Sequence, residues 1–270
     1  MVLAGNLLYR CTPRGVFRNT GETPLVGDLG IITVTNEEKK EASLHTILPR
    51  KNSLVRPPAA NIEQVIITVS KKNPTFNPGL LDRFLLLAED ACDDIVICMN
   101  KSNGGEQELL EPYRVAGYEL VYTDALNGFG LEHLKKHMKG KLNLFGGASG
   151  VGKSSLINAI NPGLCLQTGD LSKKTSRGKH TTRHTEIFPL GREPEDGFCF
   201  DTPGFTALDF SHIKKENLGF LFKEFLPLTH LCKFANCMHI KEIGCAVKAK
   251  VGKAIHNLRY ESYVKIFESM

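Results

Sequence analysis

No uncharged apolar run in the 270 residues approaches the roughly 18 that a membrane-spanning helix requires. A membrane protein or a membrane partner is therefore not expected. The opening Met1-Val-Leu-Ala-Gly-Asn6 lacks the basic flank and cleavage pattern of a secretory signal, which leaves the cytoplasm as the expected location. There is no internal repeat and no low-complexity segment. A disulfide framework is not expected either, because the cytosol keeps thiols reduced although the chain has eight cysteines. Cys11, Cys92, Cys98, Cys165 and Cys199 are scattered, the last four in or near apolar segments, and read as small core residues. Acidic residues are missing from 171–185, which hold five Lys/Arg; such a stretch, by itself, reads as a solvated loop. The net charge of +5 is a mild bias toward an anionic partner.

The length suits one nucleotide-sized domain plus one or two small appendages. Residues 1 to about 58 contain short apolar stretches broken by Gly and Pro. Leu25–Val34 and Ala42–Leu48 look like strands of a small β-barrel. Leu54-Val-Arg-Pro-Pro58 reads as an extended linker. Beyond Asn61 the pattern changes. Val65-Ile-Ile-Thr-Val69 is a β-branched run suited to a strand buried on both faces. Residues 79–91 have helical spacing, Asp94–Cys98 and Leu120–Tyr122 read as strands, and Gly130–Met138 as a helix. Leu142–Phe145, Lys153–Ile160 and Phe198–Phe200 continue the alternation, ending at Asp201. Strands alternating with helices predict a doubly wound, mostly parallel sheet. From about Ser211 the chain becomes helical, Cys/His-bearing and Lys-rich. The expected division is 1–58, 59–210 and 211–270.

Gly147-Ala148-Ser149-Gly150-Val151-Gly152-Lys153-Ser154-Ser155 is a Walker A loop placed between a strand and a helix. Its glycines let successive amides converge on phosphate oxygens at a helix N-terminus. Lys153 would reach the β- and γ-phosphates, and the Ser154 hydroxyl would ligate Mg²⁺. Asp201-Thr-Pro-Gly204 follows an apolar strand 48 residues after Lys153. There the carboxylate would hold Mg²⁺ through water and the Gly204 amide would sense the terminal phosphate. Between the two, Gly178-Lys-His180-Thr181-Thr182 offers a threonine to complete the magnesium shell. Thr182 is slightly favoured, and Thr181 stays open. Phe205 stands where many GTPases carry a water-orienting glutamine, so hydrolysis should be slow unless His180 or a partner positions the water.

Asn100-Lys101-Ser102-Asn103 follows a strand and resembles the guanine-reading Asn-Lys-x-Asp element. Ordinary GTPases place that element after the phosphate loop; here it precedes the loop. At the fourth position Asn103 replaces the carboxylate, turning one of two accepted bonds into a donor–donor clash. The loss is on the order of 1–3 kcal/mol. Thr123-Asp124-Ala125 holds the place of a second base-contacting loop. Finally, Cys232-x4-Cys237-x-His239-x5-Cys245 supplies three thiols and an imidazole within 14 residues. That set fits one closed, structural Zn²⁺ site.

The ordered set of Asn-Lys, phosphate loop, Gly-Lys-His-Thr-Thr, Asp-Thr-Pro-Gly and Cys-Cys-His-Cys resembles the RsgA/YjeQ family of circularly permuted GTPases. Val26-Gly-Asp28, Leu48–Asn52, Arg56-Pro57, Ala60-Asn61, Asn73-Pro-Thr-Phe76, Leu81-Asp-Arg83 and Arg259-Tyr-Glu-Ser-Tyr263 extend the likeness over nearly the whole chain. The resemblance implies a multi-domain fold: an N-terminal OB-fold β-barrel, a circularly permuted α/β P-loop GTPase domain and a small helical C-terminal zinc domain. It further implies GTP/GDP binding with Mg²⁺ and the 30S ribosomal subunit with its 16S rRNA as partner. The implied role is late subunit maturation, with turnover slow alone, faster on the subunit, and assisted by His180. A monomer is expected. Asn103 and Asp124 depart from the family's guanine-reading positions, and the barrel is short at its start. The alternative is an RNA-binding assembly factor with weak or base-relaxed hydrolysis.

Overall fold

The computed structural model describes residues 1–5, 7–13, 17, 23–54, 57–164, 185–191, 193–205 and 210–270, with 201–205 described by backbone alone. The chain forms two units, Met1–Ile62 and Glu63–Met270.

The first unit is a four-stranded sheet of β1 (Val2–Ala4), β2 (Leu7–Pro13), β3 (Gly30–Asn36) and β4 (Glu41–Ile47), in the order β1-β2-β4-β3. Only β2 and β4 run parallel. The pairing of β3 with β4 shifts register at Ile31/Ile32 and again at Val34/Asn36. Such bulges bend a sheet, and here they curl it into the half-barrel of an OB-fold. Leu44 and Ile47 of β4 close on Phe17, with Cys11 and Ile32 packed alongside. The expected strand over Leu25–Val34 begins only at Gly30, because the preceding residues make a turn. The Asp28 carboxylate accepts from the Leu25 amide at 2.7 Å and from Arg50 Nε and Nη2 at 2.7 and 2.9 Å. A short ladder of β5 (Ser53–Leu54) and β6 (Ala59–Ala60) follows, so Pro57 and Pro58 lie in its connection.

The second unit is built on β7 (Gln64–Ser70), buried at every position, as its β-branched run predicts. Then come α1 (Pro78–Ala91), β8 (Ile95–Asn100), α2 (Gln107–Val115), β9 (Glu119–Tyr122), α3 (Leu131–Met138), β10 (Leu142–Gly146), α4 (Lys153–Ile160), β11 (Glu186–Pro189) and β12 (Phe198–Phe205). The sheet order is β11-β12-β10-β7-β8-β9, parallel throughout except for β11 against β12. Helix α1 starts where expected: Pro78 presets the first turn, and the Asn77 side chain accepts from the Leu80 amide at 3.1 Å. Helix α2 was not anticipated; it carries Pro112 inside and follows two glycines. Strand β12 runs past Asp201 to Phe205, across a register shift opposite Leu144/Gly146.

The C-terminal part is helical in short pieces joined by tight turns: 3-10 turns over Lys215–Leu221 and Lys223–Phe225, the brief α5 (Leu226–Thr229) and α6 (Ala246–Ala249), and one longer helix, α7 (Asn257–Ser269). It has a core of Leu218, Phe222, Phe225, Val247, Ile255, Tyr263 and Ile266, and that core includes Leu86 of α1. Arg259 of α7 is only 2% exposed. Its Nε donates to Glu224 Oε1 at 2.7 Å, its Nη1 to the Asp82 carboxylate of α1, and its plane lies 4.6 Å from the Phe222 ring centroid. Both carboxylates are themselves buried, so removing the cation strands two charges. Arg259→Met is expected to lower unfolding free energy by about 3–5 kcal/mol, read from urea denaturation followed by circular dichroism. A loss below about 1 kcal/mol, the value of an exposed pair, would contradict this role.

Candidate functional site

The carboxyl ends of β10, β7 and β8 lie side by side, and the loops leaving them meet there. The phosphate loop leaves β10 with Gly147, Gly150 and Gly152 at φ values of 126°, 80° and 97°. Two of these glycines are required by close approach as well as by φ. A Cβ on Gly147 would stand 2.1 Å from the Thr68 carbonyl oxygen of β7, and one on Gly152 2.4 Å from Asn100 Nδ2 of β8. Gly152 is the N-cap of α4, with Lys153, Ser154 and Ser155 in the first turn. Val151 is buried, whereas Ala148 is half-buried and Ser149 and Gly150 are exposed.

Lys153 Nζ donates to the loop carbonyls of Gly147 and Ala148 at 2.8 and 2.9 Å. The ammonium thus lies folded over the loop where a phosphate would supply its counter-charge. Burial lowers its pKa from 10.5 to about 8.

Asn100 is the last residue of β8, not a loop residue beyond it, and is 1% exposed. Its Nδ2 donates to the Val151 carbonyl at 2.9 Å, and its Oδ1 accepts from Thr123 Oγ1 and the Ala125 amide, both at 3.3 Å. One side chain therefore ties the Asn-Lys element, the phosphate loop and the 123–125 loop together. Lys101 adds a second tie by donating to the Gly150 carbonyl at 2.8 Å and to the Asn73 carbonyl. The Asn73 contact, from the loop after β7, was not legible in the sequence.

Asn103 is exposed, with Oδ1 accepting from the Gly105 amide at 3.3 Å. The neighbouring Ser102 hydroxyl bonds to Glu106 and accepts from the Gly104 amide at 3.0 Å, which shapes this loop from within. Thr123 is fully buried. Asp124 turns both carboxylate oxygens onto its own loop, to the Leu126 amide and Asn127 Nδ2, each at 2.9 Å. Asp201 and Gly204 lie within β12 by their backbone. His180, Thr181, Thr182 and the basic stretch up to residue 184 lie outside the described residues, as does Cys165.

The four expected metal ligands do converge. Cys232, Cys237, His239 and Cys245 bring their donor atoms within 4.8 Å of one another. His239 Nδ1 lies 3.7 Å from Cys232 Sγ and 3.4 Å from Cys245 Sγ. Around a tetrahedral ion with ordinary Zn–S and Zn–N bonds, sulfur and nitrogen stand about 3.6 Å apart, so the set fits a closed four-ligand site. The seven described cysteines are all free of disulfides.

A family model described as RsgA GTPase matches residues 47–211. A protein of Alkaliphilus metalliredigens (strain QYMF), called "Small ribosomal subunit biogenesis GTPase RsgA", is 43% identical over 265 residues, covering 96% of this chain and 89% of its own length. A protein of the same name from Geobacillus thermodenitrificans (strain NG80-2) is 42% identical, covering 100% and 92%. Among solved structures, YjeQ from Thermotoga maritima is 38% identical with a TM-score of 0.80, covering 96% and 88%. YloQ, described as a circularly permuted GTPase, is 35% identical with a TM-score of 0.79, covering 97% and 85%.

The geometry of Lys153 carries a prediction. The folded protein releases this proton near pH 8 and the unfolded chain only near 10.5. Unfolded molecules therefore bind more protons between those values, and folding stability rises with pH there. Below pH 8 the full cost of the buried cation is present. Lys153→Met should raise the stability of the nucleotide-free protein by about 1–2 kcal/mol at pH 7, with the gain gone by pH 10.5, while nucleotide affinity falls. Urea midpoints at the two pH values check this; an unchanged or lower midpoint at pH 7 would contradict it.

Proposed function

The chain belongs to the RsgA GTPase family and is a GTP hydrolase, and from that premise we propose that it acts in biogenesis of the small ribosomal subunit. The observation that carries this reading is the extent of the likeness. Relatives called small ribosomal subunit biogenesis GTPases align over 96% or more of this chain, so the half-barrel and the Cys/His segment are matched along with the nucleotide loops. We place the protein on the 30S subunit and its 16S rRNA, late in maturation, as a cytoplasmic monomer that leaves after hydrolysis. The half-barrel is the proposed RNA-binding element, since OB-folds present a strand face and loops to nucleic acid.

In the proposed mechanism the amides of 147–155 cradle the phosphates, and Lys153 exchanges the Gly147 and Ala148 carbonyls for the β- and γ-phosphate oxygens. Ser154, Asp201 and Thr181 or Thr182 are the residues that would hold a magnesium ion brought with the nucleotide, which would neutralise phosphate charge. Asn100 and Lys101 hold the base loop against the phosphate loop, so base and phosphates are read by one rigid assembly. Thr123 and Ala125 complete the wall on the base side. The Gly204 amide is proposed to sense the terminal phosphate, and His180 to position the attacking water in place of a glutamine. One structural Zn²⁺ is assigned to Cys232, Cys237, His239 and Cys245, giving the turn-rich segment the rigidity its small core does not supply.

Two measurements test the reading. GTP turnover is expected to rise at least tenfold with 30S subunits over the protein alone, whereas equal turnover in a phosphate-release assay would overturn the coupling. Asn103→Asp restores a carboxylate and is expected to strengthen GTP over ATP or XTP by about 10- to 100-fold, matching 1–3 kcal/mol. Unchanged affinities in a nucleotide competition series would rule out Asn103 as a selectivity residue.

A further inference from the structure

A second group of metal-type donors lies apart from both the nucleotide loops and the Cys/His cluster. His133 and His137 stand one helical turn apart on α3, and Glu119 opens β9. The two imidazole Nε2 atoms are 3.3 Å apart, and His137 Nε2 is 3.6 Å from Glu119 Oε1. All three donor atoms lie within 4.8 Å of one another. We propose that Glu119, His133 and His137 form a second metal site, which takes a transition-type divalent cation such as Zn²⁺ or Ni²⁺ and leaves coordination positions open to solvent.

The spacing carries the argument. Around an ion with metal–nitrogen and metal–oxygen bonds of about 2.1 Å, neighbouring ligand atoms stand about 3.0 Å apart in octahedral and about 3.4 Å apart in tetrahedral geometry. The observed 3.3 Å falls between those values and 3.6 Å just above them, before any side chain turns. Imidazole donors select zinc, nickel and copper, whereas magnesium and calcium take oxygen ligands, so this site is chemically distinct from the magnesium that accompanies nucleotide.

The frame under the donors is fixed. Val121 of β9 and Leu131, Leu134 and Met138 of α3 share one buried core. Gly130, the cap of α3, approaches the Tyr122 carbonyl so closely that a Cβ there would stand 1.9 Å from the oxygen. Helix and strand cannot slide past one another, and only side-chain rotamers remain to be ordered on binding. An ordinary surface arrangement would need only a His–His contact at helical spacing and a His–Glu ion pair, each worth a few tenths of a kcal/mol. The Nε2–Nε2 hydrogen bond of that arrangement lines up the same two nitrogens that a shared ion would take, with the carboxylate beside them. Glu119 and His133 are exposed and His137 half-buried, so the ion would exchange freely, unlike one enclosed by four protein ligands.

The test uses the full chain, nucleotide-free and loaded with one equivalent of Zn²⁺ so that the Cys/His cluster is filled. Ni²⁺ is then titrated by calorimetry, and paramagnetic broadening of backbone amides locates it. One further equivalent is expected, broadening β9 and α3, with affinity reduced at least tenfold in His133→Ala and in His137→Ala. Zinc content and basal GTP turnover should stay at wild-type levels in both variants, which shows that they are folded. Absence of a further equivalent in the wild-type chain would overturn the proposal. So would nickel binding of unchanged affinity in the His133→Ala/His137→Ala double variant, which would assign the ion to other histidines.

Discussion

The nucleotide end of this protein depends on how closely the phosphate loop is pressed onto the strand ends. Gly147 lies against the Thr68 carbonyl of β7 and Gly152 against the Asn100 amide of β8. No side chain fits at either point, and the Asn100–Val151 bond closes the gap at 2.9 Å. The contact explains why a reversed chain order leaves the site intact. In space β10 lies beside β7 and β7 beside β8, with all carboxyl ends together. Ligand sites in such sheets form at the carboxyl ends of the strands. Permutation changes which loop is reached first along the chain, and the neighbours of each loop stay the same.

A second constraint binds the turn-rich C-terminal part to this sheet. Few of its residues are in long helices, and its aromatic core is completed by Leu86 from α1. Arg259 reaches the Asp82 carboxylate on that same helix while holding Glu224 of its own segment. A buried cation with two carboxylate partners tolerates little displacement, since each lost bond leaves a charge in a low-dielectric interior. The Tyr260 and Tyr263 hydroxyls of α7 tie it to the Cys/His turns by donating to the His239 and Met238 carbonyls at 2.7 and 2.6 Å. Movement in α1 would therefore be transmitted to the Cys/His turns rather than absorbed between them.

The parts legible in the sequence were those whose chemistry is local. Continuous β-branched runs marked β7 and β8, helical spacing over 79–91 marked α1, and the Walker loop and Cys/His spacing announced themselves by pattern. Three features were hidden because they depend on residues far apart in the chain. The Lys101–Asn73 tie crosses 28 positions, Arg259–Asp82 crosses 177, and Glu119 lies in a different element from His133 and His137. Helix α2 was missed for a local reason, as Pro112 and the preceding glycines counter its short apolar period. The turn at Val26-Gly-Asp28 replaced an expected strand because Asp28 captures the Leu25 amide and Arg50, which a hydrophobicity pattern does not register.

The geometry also narrows where base selectivity resides on the proposed reading. With Asn103 in place of a carboxylate, Asp124 is the nearest acidic residue in the second base loop and would be the natural substitute. Both its oxygens already serve its own turn, accepting from the Leu126 amide and from Asn127. Turning one toward a base would break a bond that shapes the 124–129 loop, whose Asp124 and Phe129 ends pair at 2.9 Å. Asn100 is equally committed, to Val151, Thr123 and Ala125. Among the described polar side chains of these two loops, the exposed Asn103 amide is then the one held least, by a single bond to the Gly105 amide. An amide there can offer one donor and one acceptor, so it meets half of the two-donor guanine edge but both groups of a xanthine edge. On the proposed reading, discrimination then depends on how tightly the loop holds Asn103 in one of its two amide orientations, and the Gly105 amide, at 3.3 Å from Oδ1, is a contact that favours one of them.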